Sequence, residues 1–210
     1  MHGAALIDWG VATRTLAGQR ESGDLHLVKP VGTGVLVSVV DGLGHGADAA
    51  TAARAAVATL TRHAQESVLP LLQRCHQALA GTRGVVATVA LFDRADDSMT
   101  WLGVGNVEGV LLYADAGGRR GRERLVTRGG IVGSELPPLR AEVLAVAPGD
   151  TLILATDGIQ SGFADDLAAD AAPQQLADQI LARSGKSTDD ALILVARYVG
   201  DARAKARAKG

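Results

Sequence analysis

Aromatic side chains are scarce in this chain: they make up 3% of its 210 residues, two each of Trp, Tyr and Phe. The core must therefore come from Ala, Val and Leu, with elements packed close instead of held apart by rings. Cysteine occurs once, at Cys75, which excludes an internal disulfide and a zinc site built from cysteines. No apolar run approaches the roughly 18–20 residues needed to cross a bilayer. The opening Met1-His2-Gly3-Ala4 has neither the charged nor the apolar region of a signal peptide. A cytoplasmic chain without membrane attachment is expected. The net charge of −2 gives no overall drive towards nucleic acid. Two basic groups run against that average: Arg119, Arg120, Arg122 and Arg124, and the tail holding Arg203, Lys205, Arg207 and Lys209. A solvated loop and a frayed terminus account for them, with docking of an acidic or phosphorylated partner as the alternative.

What is present is a strand-rich pattern with three helical interruptions. Strand-like runs cover Ala5 to Thr13, Leu25 to Lys29 and Val35 to Val40, the last apolar enough to be buried on both faces. The alanine-rich stretch from Ala47 to His63 predicts a helix, and Val68 to Ala80 a second one. The period then changes. Val85 to Phe92, Met99 to Val104, Val107 to Tyr113 and Arg124 to Arg128 read as consecutive hairpin strands. Val143 to Val146 and Thr151 to Thr156 flank the turn Pro148-Gly149-Asp150. A helix from Pro173 to Arg183 and a strand from Ala191 to Val199 close the chain. Strands not separated by regular crossover helices predict an α+β fold with antiparallel sheet. The length suits one domain, residues 1–200, followed by the basic tail 201–210.

Four acidic sites stand where strands end or turns begin: Asp24, Asp41, Asp157 and the pair Asp189-Asp190. Asp41 and Asp157 share a local grammar, an apolar run that stops at Asp-Gly. A carboxylate at the mouth of a buried strand is held rigidly yet reaches solvent, and the glycine behind it lets the backbone turn sharply. Several converging carboxylates repel one another unless a cation lies between them. Oxygen donors alone favour a hard ion, Mg²⁺ or Mn²⁺. A lone Asp-Gly after a strand is usually only a turn. Two of them, each after a buried run, leave both readings open.

The segment Asp41-Gly42-Leu43-Gly44-His45-Gly46, followed by an alanine-rich helix, resembles the D-G-x-G-H-G signature of the SpoIIE-like branch of the metal-dependent protein phosphatases, the protein phosphatase 2C family. Further elements match in order: Ser22-Gly23-Asp24, Gly103-Val104-Gly105-Asn106, Ala155-Thr156-Asp157-Gly158 and Thr188-Asp189-Asp190-Ala191. The resemblance runs from about residue 8 to 199 and is greatest to the short, RsbX-type stand-alone branch. It implies an α-β-β-α sandwich of two mainly antiparallel sheets flanked by helices. It also implies a serine/threonine phosphatase in which a water is activated between two Mn²⁺ or Mg²⁺ ions. Asp41 would bridge the ions and the Gly42 carbonyl would bind one of them. Asp157 and Asp189 would complete the other site, and Asp24 would hold an ion-bound water. Asp190 would support them or serve a third, weaker ion. The implied substrate is a phosphorylated STAS-domain protein of a bacterial stress-signalling complex.

The sequence departs from the better-known eukaryotic members, which carry a histidine directly after the D-G pair; Leu43 stands there instead. His45 lies two residues on and reads as a residue that shapes the turn. Arg20 is a candidate for the arginine that grips phosphate, although its offset from Asp24 differs by one residue. His26, His63 and His76 read as packing or surface residues. Two other functions compete. Gly42 to Ala47 also satisfies G-x-G-x-x-G/A, the dinucleotide fingerprint, but Asp41 would face the pyrophosphate and no strand with a terminal acid follows about 20 residues on. A catalytically inactive phosphatase fold that binds phosphoproteins is the other.

Overall fold

Alanine spacing explains how the outer layer sits. In the computed structural model, which describes residues 6–114, 121–165, 167 and 170–200, helix α1 (Ala47–Arg62) buries Ala49, Ala52, Ala53, Ala56 and Leu60. These recur at the three- and four-residue steps that place side chains on one helix face. Helix α2 (Val68–Ala78) adds Val68, Leu71, Leu72 and Cys75. Both helices cover one face of a five-stranded sheet ordered β2-β3-β4-β5-β8. Its strands are β2 (Asp24–Val31), β3 (Gly34–Gly42), β4 (Val85–Asp93), β5 (Ser98–Val104) and β8 (Glu142–Ala145).

A second five-stranded sheet, ordered β1-β10-β9-β6-β7, lies against the first. It contains β1 (Ile7–Arg14), β10 (Ala191–Tyr198), β9 (Thr151–Ala155), β6 (Glu108–Leu112) and β7 (Arg122–Leu125). Helix α3 (Pro173–Ser184) covers its outer face through Leu176, Ala177 and Ile180. The pairings within both sheets are antiparallel. Alternation sorts the side chains. In β3, Val35, Val37 and Val39 face the other sheet, while Leu36 and Val40 face the helices. The expected α-β-β-α sandwich is the fold found. Among the few rings, Phe92 and Tyr198 stack between the sheets with centroids 5.9 Å apart.

Three sequence readings need correction. The run from β4 to β7 is not a series of consecutive hairpins. β4–β5 and β6–β7 are hairpins, but β5 and β6 lie in different sheets, and the chain crosses between them at Gly105-Asn106. The strand read at Arg124 to Arg128 lies earlier, at Arg122–Leu125, where it pairs with β6. Periodicity does not specify which sheet a strand joins, because that depends on partners distant in sequence. The dinucleotide alternative also falls: β3 is antiparallel to both neighbours, whereas that fingerprint belongs to a parallel βαβ unit. Among the described residues, no helix is long and apolar enough to cross a membrane. Arg119, Arg120 and the tail 201–210 lie outside the described residues.

Candidate metal centre

Asp24 opens β2 and Asp41 is the last residue but one of β3, and the antiparallel register sets them directly opposite each other. Opposed residues on neighbouring strands have Cβ atoms roughly 4.5–5.5 Å apart, and like charges there are destabilising. By the alternation of β3, Asp41 shares the inward side with Val37 and Val39, so both carboxyls open towards the second sheet. Asp24 is only 5% exposed. From the second sheet, the Thr156 hydroxyl donates to Asp24 Oδ2 at 2.7 Å and accepts the Leu192 N–H at 2.9 Å. Thr156 therefore ties the mouth of β9 to that of β10 and reaches across the sandwich to β2.

Asp157 follows at once. Its Oδ2 accepts Asn106 Nδ2 at 2.9 Å, and its carbonyl accepts Lys186 Nζ at 2.6 Å. Gly158 lets this turn meet the Asp189-Asp190 segment, since a Cβ on Gly158 would lie 1.8 Å from the Asp190 carbonyl oxygen. Asp189 is half-buried, whereas Asp190 is buried with both carboxylate oxygens engaged. Asp190 Oδ1 accepts the Leu16 N–H and Oδ2 the Gly23 N–H, each at 2.7 Å. Asp190 thus clamps the segment leading into Asp24 against the start of β10.

The electrostatics follow from this crowding. Burial pushes Asp24 up to about 7, against the Thr156 hydrogen bond, and the charges of Asp190, Asp157 and Asp189 add to the rise. Burial also pushes Asp41 up to about 8, helped by Asp24, Asp157, Asp189 and Asp190. Among the described residues, no three acidic, histidine or cysteine side chains are grouped so as to hold a metal ion by themselves. The carboxylates nevertheless feel one another's charge, and that mutual effect, with the register of Asp24 and Asp41, defines the cluster. A divalent cation is the natural counter-charge for it, and a donor set of carboxylates suits a hard one.

Other residues named from the sequence fall elsewhere. Leu43 packs against the inter-sheet core and His45 is exposed. Arg20 is exposed, with no contact tying it to the aspartates among the described residues. Arg122 and Arg124, taken as partner-docking candidates, form ion pairs with Asp165 and Glu108. Cys75 is buried in α2 with its thiol pushed up to about 12, so it is no nucleophile. Sequence reasoning passed over Thr156, Asn106 and Lys186 as members of the site. Thr156 and Asn106 sit inside quoted motifs, but only the fold shows that they touch Asp24 and Asp157.

Gly42 has a steric task. A Cβ there would lie 2.2 Å from the Ala49 carbonyl oxygen, in the first turn of α1. Gly42→Ala is expected to push α1 off β3 and to cost roughly 1–3 kcal/mol. For a chain of this size that lowers the thermal midpoint by about 2–4 °C per kcal/mol. An unchanged midpoint in a melting experiment would contradict this packing.

A profile of the family described as Stage II sporulation protein E (SpoIIE) matches residues 32–199. The chain belongs to the SpoIIE family. Over 94 residues it is 30% identical to the phosphoserine phosphatase RsbX of Bacillus subtilis (strain 168), covering 45% of this chain and 47% of that protein. The chain therefore matches about half the length of this curated relative. One solved chain, described under the words "The bacterial stressosome: a modular system that has been adapted to control secondary messenger signaling", is 31% identical with a TM-score of 0.82. That match covers 91% of this SpoIIE-family chain and 99% of the other. RsbX in complex with magnesium superposes with a TM-score of 0.81 at 21% identity, over 91% of this chain and 95% of that one. At that identity the likeness establishes the fold, which is that of the metal-dependent protein phosphatases.

Proposed function

We propose that this SpoIIE-family chain is a metal-dependent protein serine/threonine phosphatase that hydrolyses phosphoserine or phosphothreonine. One observation carries the reading: Asp24 and Asp41 face each other at a buried strand mouth, with Asp157 and Asp189 close enough to raise the proton affinity of both. Such an arrangement is costly unless a cation neutralises it. Asp41, the Gly42 carbonyl, Asp157 and Asp189 would hold two divalent ions, Mg²⁺ or Mn²⁺, with Asp24 beside them. When bound, the ions supply an activated water and neutralise the phosphoryl oxygens.

The remaining steps belong to the chain. Thr156 holds one Asp24 oxygen and so aims the other. Asn106 orients Asp157 and Lys186 fixes its backbone. Asp190, with both oxygens on backbone N–H groups, acts as a positioning residue for Gly23-Asp24. Leu43 offers no proton at the place where some relatives carry histidine, so the leaving hydroxyl takes its proton from another group or from solvent.

The substrate reading is a phosphorylated STAS-domain protein of a bacterial stress-signalling complex. Its support is the likeness to RsbX, named a phosphoserine phosphatase, and to the chain described with the bacterial stressosome. The test is release of phosphate from phosphorylated STAS-domain proteins and from p-nitrophenyl phosphate, with Mg²⁺ and Mn²⁺ compared. Turnover that a chelator abolishes and either ion restores is expected. No turnover of any phosphoester at any metal concentration would reject the enzyme and leave a phosphoprotein-binding module.

A further inference from the structure

Beside the aspartates the sandwich has an open edge, where β5 and β8 of one sheet meet the segment following β7, the edge strand of the other. A cavity of about 470 Å³ lies there, lined in part by Trp101, Thr127, Arg128, Pro137, Arg140 and Glu142. One lining segment is bonded to the turn that reaches the metal centre. Arg128 N–H donates to the Gly103 carbonyl and the Arg128 carbonyl accepts the Gly105 N–H. The next residue, Asn106, donates to Asp157. One short turn therefore serves both places.

Two features of this wall lack partners within the chain. Among the described residues, neither Arg128 nor Arg140 makes an ion pair or a side-chain hydrogen bond, and both are exposed at the rim. The neighbouring arginines Arg122 and Arg124 are, by contrast, both paired. Trp101 is 3% exposed, and its indole Nε1 is the one buried side-chain nitrogen or oxygen without a hydrogen-bond partner among the described residues. Buried donors are nearly always satisfied, so this orphan marks the core side of the cavity wall as unusual, and Trp101 serves as a reporter beside the two arginines. The lining holds two positive charges against the single negative charge of Glu142.

We infer that this cavity is a subsite for an acidic side chain of the protein substrate, a glutamate or aspartate near the phosphorylated residue. A guanidinium suits a carboxylate, which it can grip through two parallel hydrogen bonds, and two of them line the cavity. The turn at residues 103–106, bonded to Arg128 on one side and to Asp157 on the other, sets the cavity near a phosphoresidue held at the metal centre. The inference rests on the phosphatase reading for its occupant, but the binding arm of its test does not depend on turnover.

The chain has two tryptophans, so Trp9→Phe leaves Trp101 as the sole reporter. A short unphosphorylated peptide rich in glutamate is titrated into this variant, with a glutamine-substituted peptide as control. A saturable change in Trp101 emission with the acidic peptide alone is expected, and Arg140→Gln should weaken it about tenfold. In the parent chain, a phosphoserine peptide with flanking glutamates should show about tenfold higher kcat/KM than its glutamine counterpart, and Arg140→Gln should bring that ratio near one. Equal Trp101 responses to both peptides would overturn the subsite. So would a ratio that Arg140→Gln leaves intact, or an equal loss on both peptides, which would instead place Arg140 on the phosphate. Peptide binding without turnover of any phosphoester would uphold the subsite and reject the phosphatase.

Discussion

Replacing Asp41 with asparagine is expected to abolish turnover while making the metal-free protein harder to unfold. Asparagine keeps the shape of the side chain but carries no charge. In the proposed centre Asp41 is the residue shared by both ions, so its loss should lower kcat/KM on the order of 10³-fold or more. The folded chain, however, now bears a burden that Asp41 imposes: its proton affinity rises from 3.8 to about 8 through burial and four neighbouring carboxylates. Above neutral pH the parent must ionise that carboxyl in an unfavourable place, and the variant need not. A gain of about 1–3 kcal/mol in denaturant unfolding at pH 8 is expected, allowing for an amide that must find its own hydrogen bonds. Folding and activity then move in opposite directions, which separates a functional carboxylate from a structural one. A variant that unfolds sooner than the parent, or retains its turnover, would refute this role.

The stability of the metal-free chain should fall as pH rises and recover when a divalent cation is added. Asp24 and Asp41 hold protons in the folded state up to about 7 and about 8, whereas in the unfolded chain both release them near 3.8. Between about pH 4 and 8 the folded state binds more protons than the unfolded one, so each step up in pH favours unfolding. The full contribution is present below about pH 4 and is lost through the folded values. Across that window a loss of a few kcal/mol is expected from these two groups. A cation that binds only the folded chain restores about 2.7 kcal/mol at a hundredfold excess over its dissociation constant. Denaturant melts from pH 4 to 8, with chelator and then with Mg²⁺ or Mn²⁺, measure both effects. Stability that rises through this window without metal, or a cation that shifts nothing at pH 8, would contradict the centre.

Both experiments concern residues that could be picked out before any fold was known, but not for the same reasons. Asp41 and Asp157 announce themselves by ending apolar runs at Asp-Gly. Asp24 and Asp189 enter only through the ordered family motifs. Asp190 is placed beside them by sequence, yet its two oxygens face backbone N–H groups of Leu16 and Gly23, a segment more than 160 residues away. Arg20 shows the opposite case, a candidate by position that is exposed and, among the described residues, makes no ion pair or hydrogen bond with the aspartates.

The sequence by itself determined the alternation that makes the strands, the alanine face that lets α1 lie against β3, and the carboxylates at strand mouths. These are local properties, fixed by side-chain size, period and the residues allowed at a turn. The tertiary structure alone decided which sheet each strand joins. With that came the facing of Asp24 by Asp41, the reach of Thr156 across the sandwich, and the charge crowding that raises both proton affinities. It also opened the cavity of Arg128 and Arg140 at the sheet edge. Those depend on pairing between residues distant in the chain, and no short window of sequence carries the distance between two strands.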